Sequence, residues 1–589
     1  MLSPNWLMQL KIPKIRESKH QDFLLLLLWF TVALILRFLN LGAKPPWTDE
    51  FSTLVFSLGN SFLGVPLDQA INIDVLLEPL KPRVNTSIQD VFKHLFTESN
   101  HPPIYFILTH FWLRLFPTDD GLVSVWGARA LAAILGAITV PATYALSWLV
   151  IKSRSVSHLA AIIMATSPYG IFLAQETRHY TLAILWVIAS LACFLISTQH
   201  LKNNTKLSFK VVLLWVIVNA LGIATHYFFV LTLCAQVIVL IYLFIRGLRK
   251  EENVDHQNIL TSSWYRILAA ITATAVAGAV WIPIFLQNSY GGKLTEWIQG
   301  ERSGLAWLSP IFQALAAWIT MISLLPVESP QIPIIIASGL VMLAFFIWMT
   351  PILLRGLNFR LKEPENHFFT QILLNFIIAS LAIFFILTYF FGIDLTRGAR
   401  YNFVYFPSVI VLIASSLAIC WHIGKVKIWR WQISGKKAVL IVCLMSLTSA
   451  ITVVNNLGYQ KYYRPDLFVE LIQKTSQVPV LIATTQKTHV HIGEMMGVAR
   501  EFKIRESRKK TSRKAINYVP TRFVLAHQDN NPETSTVALR KILEKQSNAF
   551  DLWLVNFYAD KPEELDTCVQ EKQILPAING YEYKLFHCQ

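Results

Sequence analysis

Between residues 22 and 455 the chain returns repeatedly to apolar runs near the roughly 20 residues that cross a bilayer as helix. Hydrocarbon offers no partner for a backbone N–H or C=O, so runs of this kind must satisfy their own hydrogen bonds, and helices do so. Candidate spans fall at 22–41, 126–150, 157–175, 180–198, 209–224, 226–245, 264–287, 331–353, 371–392, 403–422 and 438–455. The chain is 54% hydrophobic and only 15% charged, where a soluble domain carries about a quarter charged residues. The first run has no convincing small-residue cleavage site after it and reads as a retained helix rather than a signal peptide. The expected fold is a polytopic α-helical membrane protein of about eleven transmembrane helices.

The net charge of +16 invites a nucleic-acid reading, and its placement argues against one. Lysine and arginine gather in short loops between the runs: "KIPKIRESK", "IKSRS", "LKNNTK", "RGLRK", "RGLNFRLK" and "KVKIWRWQISGKK". With residues 1–21 inside, every one of these loops is cytoplasmic, as the positive-inside rule requires. The alternate segments then face out: 42–125, the turn at Gln175–Tyr180, the turn at His226, 288–330, 394–402, and the tail from 456. Two further apolar stretches complicate the count. Residues 101–116 are short and carry Arg114, and read as a helix at the membrane surface. Residues 305–325 are long enough to cross, and are left out of the eleven.

The tail, 456–589, changes character. Strand-like "VPVLIATT", "TRFVLAHQ", "FDLWLVNF" and "GYEYKLFHC" alternate with helical "GEMMGVAREF" and "VALRKILEKQ". That alternation predicts a soluble α/β domain. Between them "REFKIRESRKKTSRK" reads either as a solvated loop or as a segment drawn to anionic lipid or glycan. Of six cysteines, Cys193, Cys234, Cys420 and Cys443 lie in apolar runs, whereas Cys568 and Cys588 lie in the tail. A helix packed on the last strand can bring these two within disulfide reach in an oxidising compartment, and the plainer alternative is two unpaired thiols.

The outward segments share a distinctive chemistry. The first carries Asp49, Glu50, His101 within "SNHPPIY" and, entering the next span, Arg129. The second is "AQETRHY", with Glu176, Arg178, His179 and Tyr180; the third holds His226; another is "DLTRGARY", with Arg397, Arg400 and Tyr401. Charges beside a bilayer mark functional candidates. A carboxylate can take a proton from a hydroxyl nucleophile, arginine forks clamp phosphate, and aromatic rings stack on sugars. Each residue also has a plainer counterpart. Asp49 can cap a helix, Arg397 and Arg400 can snorkel to the interface, and His179 and His226 lack metal-ligand spacing.

In combination these motifs resemble the GT-C glycosyltransferases, and most nearly the superfamily of protein O-mannosyltransferases and lipid A aminoarabinose transferases. The resemblance rests on "WTDE" after the first span, "NHPPIYF", "RALAAILG" entering a span, and "ATSP" followed by "LAQETRHY", in that order on one face. It implies a GT-C fold over residues 22–455, with a large outer loop 42–125. It also implies a multi-pass protein of the bacterial plasma membrane, with site and tail extracytoplasmic. The implied activity is inverting transfer of one sugar from a polyprenyl-phosphate carrier to an acceptor hydroxyl on glycan, lipid or protein. Asp49 would be the general base, or would position the acceptor, with Glu50 as the neighbouring acid. Arg129, Arg178, Arg397, Arg400 and Tyr401 would hold the donor's phosphate and sugar, and His101, Glu176, Tyr180 and His226 would line the substrate site. Membrane lipid is the surrounding partner and no nucleic acid is expected. No cofactor is fixed by the resemblance, and metal use varies across the superfamily, which leaves a divalent metal open. The loop 288–304 supplies Lys293 and Arg302 where relatives use basic residues, and no insertion of the kind that eukaryotic protein mannosyltransferases carry follows residue 287. The rival readings are a flippase or transporter of lipid-linked sugars, and a glycan polymerase.

Overall fold

The computed structural model describes residues 19–250, 262–287, 294–300, 302–428, 431–511, 519–531, 533–559 and 568–588. Residues 1–18 and Lys293 lie outside them. Among the described residues eight helices are long and apolar enough to cross a membrane: His20–Phe38, Val125–Ile151, Tyr180–Lys202, Phe229–Gly247, Ser263–Ile284, Ile332–Lys362, His367–Phe390 and Gly435–Val454. A ninth is formed if the bent pair Arg154–Thr166 and Pro168–Ala174 is one span. Phe209–Ile223 and Phe406–His422 are apolar but only 15 and 17 residues long. The sequence-based count of eleven therefore rests on these two short helices. The stretch 101–116 contains only Ile104–Leu113, about 15 Å of helix. The stretch 305–325 contains a 3-10 turn, Gly304–Leu308, and the helix Ser309–Thr320. Neither is long enough to cross by itself.

The sequence suggests one continuous span over 157–175, and the structure bends it by 54°. Pro168 has no N–H to give the carbonyl four residues back, that of Met164. Arg37 of the first helix fills the gap, its Nη2 donating to Met164 O and its Nη1 to Ala165 O, each at 3.1 Å. The bend aims the "QETRHY" turn back at the first helix, where Gln175 donates to the carbonyl of Leu39 at 3.0 Å. At the far end of the bundle Asp22 pairs with Arg154 at 2.8 Å, and Ser155 lies 3.3 Å from His422. Segments assigned to one side by charge thus meet there.

The tail folds as an α/β domain. Its strands are β4 (Val480–Gln486), β5 (Thr521–His527), β6 (Phe550–Val555), β7 (Val569–Gln570) and β8 (Tyr583–Cys588). A short hairpin of β2 (Lys425–Ile428) and β3 (Trp431–Ser434) stands apart. In the main sheet β4 runs parallel to both β5 and β6, which requires crossover helices. His489–Thr511 and Glu533–Leu543 supply them. The sheet's sixth strand comes from the outer loop: β1 (Ala70–Asn72) pairs antiparallel with β5. Three residues are too few for period-two alternation to register, which is why β1 escapes the sequence. Cys568 and Cys588 form a disulfide with Cα atoms 4.3 Å apart.

The tail also packs on the loop through a helix pair. Gly493 and Gly497, four residues apart, share one face of His489–Thr511. A Cβ on Gly493 would lie 3.5 Å from Thr48 Cα, and one on Gly497 would lie 3.6 Å from the Phe51 ring. At these two positions a methyl group would make ordinary contact, so the tail helix lies directly against Thr48–Ser57, the helix that carries Asp49 and Glu50.

Candidate active site

Trp47 sits at the N-cap of Thr48–Ser57, and the two acids fall in the first turn, where negative charge favours the helix dipole. Their environments then diverge. Glu50 is sealed from solvent and grips Arg129, equally sealed, with two hydrogen bonds of 2.8 Å from Nε and Nη2. Thr177 N donates to the same carboxylate at 2.9 Å. Burial opposes the charged form of Glu50, but Arg129, Lys461 and these hydrogen bonds outweigh it and hold the carboxyl at about 2. Arg129 spends Nη1 on the carbonyls of Leu41 and Lys44, at 3.0 and 2.8 Å.

Asp49 is 28% exposed. Its Oδ2 lies 3.5 Å from Arg178 Nη2 and 3.7 Å from Arg400 Nη1, and no described residue bonds its Oδ1. Both ion pairs are longer than a good hydrogen bond. Arg178 is fixed from below: its Nη1 donates to Asp49 O and Thr53 Oγ1, at 3.0 and 2.9 Å. Its Nη2 donates to His101 Nε2 at 2.9 Å. Arginine cannot accept, so the His101 proton sits on Nδ1, 3.0 Å from Ser99 Oγ. Burial first, then the neighbouring Arg178, push His101 well below its ordinary range, and the ring is neutral.

Arg400 is held by rings rather than by acids. Its guanidinium lies 4.7 Å from the Trp47 ring centre, 5.2 Å from Trp297 and 5.7 Å from Tyr401. Its Nε is buried without a partner. Tyr401 stacks on Trp297 at 6.2 Å and meets the His226 ring edge-on at 6.4 Å. Tyr180, His179 and His226 pack ring to ring beneath, with His179 4.4 Å from His226.

Of the residues singled out from the sequence, the structure gathers Asp49, His101, Arg178, Tyr180, His226, Arg400 and Tyr401 into one connected cluster. Four others it sets apart. Arg129 and Glu50 neutralise each other in the interior, so Arg129 offers no exposed fork to a phosphate and Glu50 no open carboxylate. Glu176 is buried against Lys461. Arg397 turns toward Asp394, 3.3 Å away, and donates to the carbonyl of Trp297 at 2.6 Å. Arg302 also pairs with Asp394, so these two arginines brace the loop rather than face Asp49.

Sequence reasoning missed the residues that complete the site from far along the chain. Lys461 reaches Glu176 and lies 3.8 Å from Glu50. Burial and the nearby Lys461 pull Lys44 down to about 7. His489, at the start of the tail helix, stacks on Phe62 at 4.9 Å. "WTDE" carried a signal for Trp47, but nothing local marks Lys461 or His489. Among the described residues no group of three or more His, Cys, Asp or Glu side chains is placed to hold a metal ion. No step below uses a metal.

A helical membrane bundle with a tail domain docked over a carboxylate–arginine site defines the class of architecture. No protein-family model and no curated protein sequence matches the chain. Among solved structures it shares the fold of ArnT from Cupriavidus metallidurans in the apo state, with a TM-score of 0.50 and 12% identity over 97% of this chain and 98% of that one. The fold is thus the GT-C fold of that glycosyltransferase. ArnT bound to undecaprenyl phosphate aligns with a TM-score of 0.48 and 12% identity, over 95% of this chain and 97% of that one. The archaeal oligosaccharyltransferase AglB from Archaeoglobus fulgidus, in complex with an inhibitory peptide and a dolichol-phosphate, aligns with 0.42 and 13%, over 82% and 64%.

Proposed function

We propose that this chain is an inverting glycosyltransferase that moves one sugar from a polyprenyl-phosphate carrier to an acceptor hydroxyl at the outer membrane face. The observation that carries this reading is Asp49, an open carboxylate whose Oδ2 is loosely approached by two arginines. Arg400 has a buried, unused Nε and a guanidinium framed by rings. A carrier phosphate can draw these guanidiniums off Asp49 and leave the carboxylate basic. The acceptor oxygen then bonds to the anomeric carbon from the face opposite the phosphate. The C–O bond to phosphate breaks and its electron pair leaves with the carrier. Asp49 takes the hydroxyl proton and returns it to water. Arg178 and Arg400 offset the charge on the departing phosphate.

The ArnT whose fold the chain shares is a protein that has been solved with undecaprenyl phosphate bound, which is consistent with a lipid-phosphate donor. The disulfide between Cys568 and Cys588 suits an oxidising compartment and supports an extracytoplasmic tail. In this reading residues 22–455 form the catalytic membrane domain and 456–589 the extracytoplasmic domain, in a bacterial plasma membrane. The test is mass spectrometry of envelope lipids and glycans from cells with wild-type protein, with Asp49→Asn, and without it. A sugar adduct present only with wild type, alongside a matching rise in polyprenyl-phosphate sugar in the other two, supports transfer. Identical profiles in all three would sink it. Relocation of the lipid-linked sugar without transfer would make the chain a flippase.

A further inference from the structure

Lys461 is a charged residue in an unusual place. It follows the last membrane helix, Gly435–Val454, on the segment that leads into the tail. It is only 4% exposed. Its ammonium pairs with Glu176, lies 3.8 Å from Glu50, and stands 5.5 Å from the Trp47 ring centre and 5.9 Å from Phe172. Phe172 is itself stacked on Tyr459 at 4.3 Å. The lysine is therefore pinned by two acids and two rings, all contributed by other parts of the chain.

Trp47 is shared. The same indole that receives Lys461 receives Arg400 at 4.7 Å, and Arg400 is one of two guanidiniums beside Asp49. A chain of contacts runs from the tail linker to the site: Lys461, Trp47, Arg400, Asp49. Cations favour the face of an indole, and the attraction grows when both are withdrawn from water. Arg400 needs such help, because Asp49, the acid that pairs with it, is 3.7 Å away and its Nε has no partner among the described residues. Without the ring, a long side chain of this kind samples many rotamers and loses that freedom on binding a ligand.

We infer that Trp47 and Lys461 are positioning residues that hold Arg400 ready beside Asp49, so that the donor clamp is completed by the segment joining the membrane bundle to the tail. The inference rests on the reading of the site as a lipid-phosphate sugar transferase. It goes beyond that reading in naming what orders the arginine, and in making the tail linker part of the donor site rather than a cover over it.

The test is a double-mutant cycle on purified full-length protein, using a panel of undecaprenyl-phosphate-linked pentoses and hexoses as donors and an extract of envelope lipids and glycans as acceptor. Release of undecaprenyl phosphate is followed by mass spectrometry. Trp47→Leu is expected to raise the donor KM about tenfold while kcat holds within about twofold. Lys461→Met alone strands Glu176 in the interior, so it is made together with Glu176→Gln, and is expected to shift the donor KM in the same direction. The decisive arm is Trp47→Leu in an Arg400→Met background, where no cation is left at 400 to meet the ring. If Trp47 acts through Arg400, the double variant is no worse than Arg400→Met alone. Additive losses, or a fall in kcat with an unchanged donor KM, overturn the inference. If Trp47→Leu does not fold, Trp47→Phe takes its place in the cycle, with a smaller effect of the same sign. A wild type that releases undecaprenyl phosphate while Trp47→Leu matches it sinks the inference alone. A wild type that releases none from any donor sinks the transferase reading and the inference with it.

Discussion

Arg129 holds Glu50 by two hydrogen bonds of 2.8 Å in a sealed interior, while Asp49, one residue earlier, stays open to solvent. Successive residues on a helix point about 100° apart, and in Thr48–Ser57 every residue but Asp49 is buried, so the two adjacent acids meet different surroundings. The pair that reads as two catalytic carboxylates in sequence is one sealed anchor and one partly exposed acid, the acid that the proposed function makes its tool.

The anchor predicts a stability pattern. Arg129→Met takes the two-bonded partner from Glu50 and leaves only the longer approach of Lys461 at 3.8 Å, and removing one partner of a buried pair costs about 3–5 kcal/mol. The single variant should unfold at a markedly lower temperature in detergent, or fail to accumulate. Adding Glu50→Gln should recover part of the loss, because no net charge is then buried. Melting curves of the two proteins decide it, and equal melting points would deny the anchor role.

The tool predicts a rate pattern. Asp49→Asn keeps the shape and removes the basicity. General acid–base groups contribute about 10²–10⁴-fold, so turnover should fall by that much while the melting temperature holds. Near-normal turnover by a folded Asp49→Asn protein would remove the general-base assignment.

The contrast also marks what can be read from the chain alone. The membrane helices were legible because hydrocarbon imposes a length, and the acids drew notice because they follow the first apolar run. The fate of Glu50 was not legible, since its partner lies 79 residues on. Glu176 is the sharper case: its partner Lys461 is 285 residues away, beyond the last span. Local pattern reports a side chain's character but not the element packed against it. The bend at Pro168 lay between these extremes, because proline announces a break whereas the Arg37 that satisfies it does not.

Among the arginines, position separates two that sequence could not. Arg400→Lys keeps the charge but loses the planar fork that lies over Trp47 and Trp297. The donor KM should rise about tenfold or more. Arg397→Lys alters a bond to Trp297 O and a pair with Asp394, and should change the donor KM far less. Equal effects at both positions would contradict the geometry.

Acidity should loosen the assembly early. His101, His179 and His226 are buried and held well below their ordinary range, in each case chiefly by burial. Burial likewise takes His489 down to about 4, with Asp49 working the other way. The unfolded chain binds protons near 6.5 and the folded one does not, so stability is full above that pH and is lost as pH falls toward 4. Glu50 acts lower: held near 2, it contributes stability above about 4.5 that disappears as pH falls through 2. The apparent melting temperature in detergent should decline between pH 6.5 and 4. Replacing His489 with Phe, which keeps a ring beside Phe62, should flatten part of that slope. A melting temperature that is level over the window would contradict the neutral buried histidines.

The tail disulfide joins compartment to fold. Cys568 and Cys588 are 20 residues apart, and Cys588 ends β8, which β6 and β7 flank. Closing a loop of that size stabilises a domain by about 3 kcal/mol in the chain-entropy model. A Cys568→Ser, Cys588→Ser protein should therefore lose protease resistance in the tail before the membrane helices are affected, because β7 and the end of β8 are pinned by the bond. The same cysteines report orientation. In intact cells a membrane-impermeant thiol reagent should label the tail only after reduction, since the bond hides both thiols and the tail faces out. Labelling before reduction would mean the bond does not form. Failure to label after reduction and denaturation, with membranes intact, would put the tail on the inner side and move Asp49 with it, because at Gly493 and Gly497 the tail helix lies against the helix that carries that residue.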